Sequence, residues 1–287
     1  MGNGAAGVTI VYIPTRGRVG KQPTYDALAP SGIECVLVCP PDELVGHTNA
    51  GYKAFPCKAE GVAATRQAIM GYAEQTKVMM FDDDLRFAVR RLDAPTKFVP
   101  AQTKDIRVML DRMETMLDQV PLVGLCNRGG ANNTPRNNIP VAMNKRIFDV
   151  QCYDVEWFHR EGIQFRQQFM EDFDVCLQAA LKGFPTAMLT THTKDNIGGA
   201  QAGGGCSIYR TMEGQEKAAR QLAERFPGFV TLREVKASGV GEWATRIDVK
   251  VMWVEAAKAG RELRDLLGME QHPTPDWEGI APEWTLL

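Results

Sequence analysis

The sequence has no C-x-x-C pair. Its seven cysteines, at 35, 39, 57, 126, 152, 176 and 206, are odd in number and scattered, which leaves neither a zinc ribbon nor a disulfide framework. Most lie in apolar surroundings, as in Glu34-Cys-Val-Leu-Val-Cys39, and read as buried thiols of a reducing cytoplasm. No apolar run reaches the length of a membrane span. The first residues lack the positive start and long apolar centre of a signal peptide, and position 6 is Ala where myristoylation expects Ser or Thr. A soluble, unanchored protein is therefore expected. Charge of either sign is not in excess either: the net charge is −2, so any polyanion must be met by a local patch.

What is present suits one large α/β domain, or one domain with a small appendage. The chain has 287 residues, 44% of them hydrophobic and 24% charged. Val8–Ile13, Ile33–Val38, Lys77–Phe81, Leu122–Cys126 and Thr186–Thr190 read as strands. Gly61–Gln75, Thr103–Gln119 and Glu171–Lys182 read as helices; in the second, Ile106, Met109, Leu110, Met113, Met116 and Leu117 recur at helical spacing and predict a core stripe. Alternation of strands and helices predicts βαβ units and a largely parallel sheet, whose ligands bind at the carboxyl ends of the strands. Two further helices around β-like runs are expected over 212–268, then an extended tail packed by its aromatics. The expected division is a core over 1–210 and a C-terminal α+β extension over 211–287.

The apolar run Lys77-Val-Met-Met-Phe81 ends in Asp82-Asp83-Asp84. Three adjacent carboxylates repel, so either water solvates them or a divalent cation sits among them. Mg²⁺ is usually held by one or two carboxylates together with substrate phosphates, which points to a phosphorylated ligand. Thr15-Arg-Gly-Arg18 stands at another strand end, where paired guanidinium groups suit a diphosphate. Gly61-Val-Ala-Ala-Thr-Arg66 opens a helix and could offer free N–H groups and Arg66 to phosphate; an ordinary Ala-rich helix would read the same. Met170-Glu-Asp-Phe-Asp174 opens another, where acids either cap the helix or, in Asp172, supply a general base for an attacking hydroxyl. His192 is a candidate metal ligand from across the site, although a lone His is more often structural. Asn127 to Phe148 contains no acid but carries Arg128, Arg136, Lys145 and Arg146, a basic strip that suits DNA or is simply a solvated loop. Arg86, Arg90 and Arg91 could extend it, and Trp157, Phe158, His159 or Trp243 could stack on bases or fill the core. Gly2-Asn-Gly-Ala-Ala-Gly7 spells G-x-G-x-x-G but precedes a strand instead of following one, which excludes the dinucleotide fingerprint. The Gly-rich stretch 198–205 reads as a loop able to close over a ligand.

In this order, the pieces resemble glycosyltransferases of the GT-A type. Ile13-Pro-Thr-Arg-Gly-Arg18, Gly61-Val-Ala-Ala-Thr-Arg66 and Phe81-Asp-Asp-Asp-Leu85 look like the TET-associated glycosyltransferases of phages, relatives of the base-J glucosyltransferase. The resemblance covers residues 8–206 and leaves the remainder without a motif. It implies a GT-A-like mixed, mostly parallel sheet flanked by helices, and transfer from a UDP-sugar to a hydroxymethylated pyrimidine in DNA. It implies donor contacts from Pro14, Thr15, Arg16, Arg18, Asp42, Arg66, Asp82 and Asp83, and Mn²⁺ or Mg²⁺ on Asp82, Asp84 and His192. Asp172 would be the base of an inverting reaction, with Arg128, Arg136, Lys145, Arg146 and Glu171 toward the acceptor. The competing readings are a GT-A enzyme with a polysaccharide or protein acceptor, a nucleotidyltransferase, and a non-catalytic DNA-binding module.

Overall fold

The computed structural model describes residues 9–91, 93–94, 96–131, 140–197, 210–236, 245–277 and 280. Gly2–Gly7, Arg136, the stretch 198–205, Cys206 and Trp243 lie outside the described residues. The first half alternates as predicted: β1 (Ile10–Pro14), α1 (Pro23–Leu28), β2 (Glu34–Cys39), α2 (Leu44–Asn49), β3 (Ala54–Pro56), α3 (Val62–Tyr72) and β4 (Lys77–Phe81). There follow β5 (Leu85–Arg90), β6 (Phe98–Pro100), α4 (Thr103–Leu117), β7 (Leu122–Asn127), α5 (Arg128–Ala131), β8 (Val141–Met143), β9 (Val150–Asp154), α6 (Val155–Arg160), α7 (Glu171–Leu181) and β10 (Thr186–Asn196). The chain continues through α8 (Met212–Arg225), β11 (Val230–Lys236), β12 (Thr245–Val251) and α9 (Trp253–Leu266).

Among the described residues the main sheet runs β3-β2-β1-β4-β9-β7-β10-β5-β6, with β8 on β10. Strands β1, β2, β3, β4, β6, β7 and β10 point one way, and β5, β8 and β9 the other. This is the mixed, mostly parallel sheet flanked by helices that the sequence predicts. One face packs on α1 and on the α4 stripe, where Ile106, Met109, Leu110, Met113, Met116 and Leu117 are all buried. The other packs on α3, α6 and α7. Trp157 and Phe158 are core residues of that layer, each 1% exposed, and do not reach solvent to stack on a base. His159 is tied to Met70 O (3.0 Å).

A third apolar cluster joins α7 (Leu177, Ala180) to α8 (Ala218, Ala219, Leu222), β12 (Val249) and α9 (Ala256, Ala257). The α7–α9 crossing is close: a Cβ on Gly260 would stand 2.0 Å from Ala180 O. Trp277 and Ile280 of the tail pack on the α4 side of the sheet.

β10 extends to Asn196, six residues past the expected end. Its second half, Thr191–Asn196, is polar, but it lies in the sheet interior between β7 and β5. Burial there is supported by β-favouring Thr residues and by paired charges. Arg90 and Arg91 do not extend a basic strip. Arg90 is buried and donates to Thr190 O (3.1 Å), and Arg91 pairs with Asp93.

Candidate active site

The site lies at the carboxyl edge of β1, β4 and β10. Thr24, on α1, fixes the Asp82–Asp84 turn: its hydroxyl donates to Asp82 O (2.6 Å) and accepts from Leu85 N (2.8 Å). The three carboxylates diverge. Asp83 is buried and accepts from Thr15 Oγ1 (2.6 Å) and from Arg18. Asp84 accepts from Arg18 Nη2 (3.0 Å) and lies near the Asn196 amide (3.4 Å). Asp82 turns the other way and accepts from Arg66 Nη2 (2.5 Å). Arg66 is itself 2% exposed, and its Nη1 donates to Glu171 Oε1 (2.5 Å). The β1 loop is tethered by a residue the sequence reading passed over: Glu43, whose carboxylate takes the Gly17 N–H (2.8 and 3.0 Å). Arg16 and Asp42 are exposed beside it, and Pro14 is half-buried at the strand end.

Beyond Asp82 opens a cleft of about 310 Å³, walled by Arg66, Arg146, Asp149, Gln151, Glu171 and Asp172 among others. The α7 N-terminus supplies the acids, and its positive dipole end favours them there. They divide by role. Asp174 is fully buried and held by Arg166 (2.6 and 2.9 Å) and Arg225 (3.1 Å), so it serves the fold. Asp172 accepts from Arg146 Nε (2.5 Å), and the Arg146 guanidinium lies between Phe173 (3.8 Å to the ring centre) and Phe148 (4.6 Å). Burial raises Glu171 from 4.5 to about 7; Arg66 opposes that shift and Asp172 adds to it. Burial likewise raises Asp82 well above 3.8, with Arg66 opposing and Asp149 adding.

Several cleft residues carried no sequence motif. Asp149 (φ 59°) and Met170 (φ 58°) hold left-handed backbone on the cleft wall, a conformation that costs non-glycine residues energy and clusters at functional sites. Asp149 pairs with Lys194, which is fully buried and sits 3.5 Å from the centre of the Phe148 ring. The Oε1 of Gln151 accepts from the Tyr153 hydroxyl (2.5 Å), and its amide nitrogen is buried in the cleft wall with no partner among the described residues. Arg210, Gln215, Arg246 and Asp248, all beyond the last recognised motif, complete the wall.

The predicted basic strip is split. Arg146 belongs to the cleft. Lys145 is exposed, and Arg128 is exposed with Asp195 at 3.9 Å. His192 is displaced from its expected role. It is 2% exposed, lies beside Asp105 and Arg112 of α4, and burial pushes it down to about 4. In the β5–β10 ladder it opposes Val89, whereas Asn196, the neighbour of Asp84, opposes Leu85. Four strand residues are about 13 Å, so His192 cannot share a cation with Asp84.

Among the described residues no group of three or more His, Cys, Asp or Glu forms a metal cage. A cation that takes most of its ligands from phosphate and water needs only one or two carboxylates. Asp82 and Asp84 fit that need. Around them Asp82, Asp83, Asp84, Asp149, Glu171 and Asp172 outnumber Arg18, Arg66, Arg146 and Lys194, an acid excess that a bound cation would relieve.

Paired arginines and carboxylates around one cleft at the carboxyl ends of sheet strands define the ligand site of an α/β enzyme. Residues 9–194 match the TET-Associated Glycosyltransferase family, and the chain belongs to that family; it is a glycosyltransferase. No curated protein matches it in sequence. Similar solved structures include glucosyl-3-phosphoglycerate synthase from Mycobacterium tuberculosis in complex with Mg²⁺ and UDP (10% identity, 85% of this chain and 87% of that one, TM-score 0.48). TarS 1–349 from S. aureus with UDP-GlcNAc is another (13% identity, 75% and 65%, TM-score 0.47). A third is CMP:2-keto-3-deoxy-manno-octonic acid synthetase with CTP (13% identity, 63% and 88%, TM-score 0.42). Among the described residues, no helix is long and apolar enough to cross a membrane.

Proposed function

We propose that this glycosyltransferase, with a GT-A-type core over 1–210 and an extension over 211–287, moves a sugar from a UDP-sugar to the hydroxymethyl group of 5-hydroxymethylcytosine or 5-hydroxymethyluracil in DNA, with inversion. It would act in the cytoplasm, that of the host if phage-encoded. The observation that carries the reading is the opposition, across one cleft, of the Arg66–Asp82 pair and of Asp172 held by Arg146. Membership of a TET-associated family supports a hydroxymethylated base as acceptor.

In this reading Arg18 and Arg66 steady the donor diphosphate, with Thr15, Arg16 and Asp42 around the nucleotide. Asp82 and Asp84 would hold a divalent cation, which when bound would supply Lewis-acid neutralisation of the diphosphate. Arg146 occupies one oxygen of Asp172 and leaves the other to take the proton of the acceptor hydroxyl. The freed oxygen pair forms the bond to the anomeric carbon from the face opposite the diphosphate. The sugar–phosphate bond breaks, and its electron pair leaves with UDP. No protein nucleophile is required. The modified base must leave the helical stack to reach the cleft, and the unpartnered amide of Gln151 offers it a hydrogen-bond donor.

The test is to incubate the protein with Mn²⁺, a panel of UDP-sugars and duplex DNA bearing either hydroxymethyl base, then digest the DNA and weigh the nucleosides. A hexose-sized gain on one base is expected. Release of UDP without that gain would retain the transferase and remove the DNA acceptor. Pyrophosphate release from a nucleoside triphosphate would instead indicate a nucleotidyltransferase.

A further inference from the structure

The β11–β12 ribbon has two faces of different chemistry. In its register Arg233 opposes Asp248, Val235 opposes Arg246 and Thr231 opposes Lys250, and residues directly opposite share a face. Arg246 and Asp248 line the cleft, so all six belong to the cleft-side face. The other face carries Val230, Ile247, Val249 and Val251, which pack with Ala218, Ala219 and Leu222 of α8. Packing thus fixes the ribbon's orientation and commits its charged face to the mouth of the cleft.

That face carries the cations Arg233, Arg246 and Lys250 against the single acid Asp248. Asp248 lies 3.5 Å from Arg246. Arg233 and Lys250 are exposed and make no ion pair among the described residues. We propose that this face is the ledge on which the phosphate backbone of the acceptor DNA lies. The inference rests on the reading of the acceptor as DNA and adds where the strand runs. Three arguments support it. The acid excess around Asp82–Asp84 and Asp149 repels a phosphate chain, so the acceptor must approach from the side away from those carboxylates. Arg246 of the ribbon lines the same cleft as Arg146 and Arg210, so cations lead from the wall beside Asp172 to the ribbon face. From Arg246 to Lys250 the strand rises about 13 Å, the length of helix axis that about four nucleotides of one strand occupy at roughly 3.4 Å each. Its described residues carry cations and no aromatic side chain, which suits contact with backbone phosphates.

The experiment compares Arg233→Glu/Lys250→Glu with Lys236→Glu. Lys236 is also an exposed cation of β11 but belongs to the opposite face. Binding of a labelled hydroxymethylcytosine duplex is followed by fluorescence anisotropy across a salt series, and UDP-sugar affinity by calorimetry with Mn²⁺. The double variant should bind DNA at least about tenfold more weakly at low salt, and its log–log salt slope should be shallower by about two. Donor affinity should be unchanged, which also reports an intact fold. The milder Arg233→Gln/Lys250→Gln should move in the same direction by less. Lys236→Glu should stay within about twofold of the parent protein. Equal losses in Lys236→Glu, or an unchanged double variant beside a parent that binds DNA, would overturn the ledge alone. A parent protein that transfers sugar but shows no DNA affinity would overturn the acceptor reading, and the ledge with it.

Discussion

Glu171 and Asp172 are neighbours at one helix end, yet they hold different cations, Arg66 and Arg146, and only Asp172 is the proposed base. Asp172→Asn removes the proton acceptor and keeps the shape. Turnover should fall by about 10²–10⁴-fold while UDP-sugar affinity stays constant, and a normal single-turnover rate would remove Asp172 as base. Glu171 predicts a pH dependence. Its carboxyl is raised to about 7, so the charged Arg66–Glu171 pair exists only above that pH. The donor KM should therefore rise as pH falls through about 7, and Glu171→Gln should flatten that dependence. For stability the sign is opposite. A carboxyl raised in the folded state from 4.5 to about 7 binds its proton more tightly there than in the unfolded chain. Its contribution is fully present below 4.5 and lost as pH rises through about 7. Urea midpoints at pH 5 and pH 8 should show that decline in the parent, and less of it in Glu171→Gln. Of the cleft residues, Arg66, Asp82, Glu171 and Asp172 were legible because each stands at the end of a recognisable strand or the start of a helix. Asp149, Lys194 and Gln151 were not. Each is a single polar residue whose partner lies far away in sequence, and only the ladder β4-β9-β7-β10 brings them together. His192 misled because a histidine after a strand reads the same whether it faces the site or α4.

At the scale of elements, the acids at the α7 N-terminus depend on a helix outside the family-matched residues, α9. Trp253 at the start of α9 stacks on Phe173 of α7 (6.2 Å between ring centres, 17°), and Phe173 carries the guanidinium that holds Asp172. The pair can approach only because Gly260 has no side chain. A Cβ there would meet Ala180 O at 2.0 Å and Gly183 N at 2.6 Å, both backbone atoms that cannot swing aside. Gly260→Ala should cost about 1–3 kcal/mol in chemical denaturation and lower transfer through the displaced α7. Gly71→Ala, on α3 with nothing within 4 Å of the added Cβ, should cost nothing and gain up to about 1 kcal/mol of helix propensity. An equal loss in both would mean that the α7–α9 contact is not the cause. Elements with strong periodicity, such as the α4 stripe and the apolar runs of β2 and β4, were readable without the structure. β5 and β9 were not. Arg86 and Arg90 made β5 look like charged surface, and β9 contains Gln151 and Asp154, whose burial or capping is decided by tertiary neighbours. The α8–α9 region was legible as elements but not as part of the site, because Arg246 and Asp248 have no spacing that announces a cleft.

At the scale of the whole molecule, a net charge of −2 conceals a division of labour. Carboxylates exceed cations around Asp82–Asp84 and Asp149, and cations exceed carboxylates on the cleft side of the ribbon. In the proposed reading, a balanced total would let a negatively charged donor and a negatively charged acceptor bind the same small cleft from different sides without a globally basic surface. The acid excess has a consequence that can be measured. Burial raises the Asp82 carboxyl well above its ordinary range, with Arg66 opposing and Asp149, Asp84 and Asp83 adding. In the proposed mechanism a divalent cation entering with the diphosphate would add positive charge there, and binding should then be mutual, each partner tightening the other. Dialysis against a chelator should therefore abolish transfer and weaken UDP binding while leaving the far-UV circular dichroism unchanged, because Arg18, Arg66 and Lys194 still hold the carboxylates in place. Mn²⁺ or Mg²⁺ should restore both, and in Asp84→Ala neither metal should. Full transfer after chelation would remove the cation from the mechanism and leave Arg18 and Arg66 to balance the diphosphate.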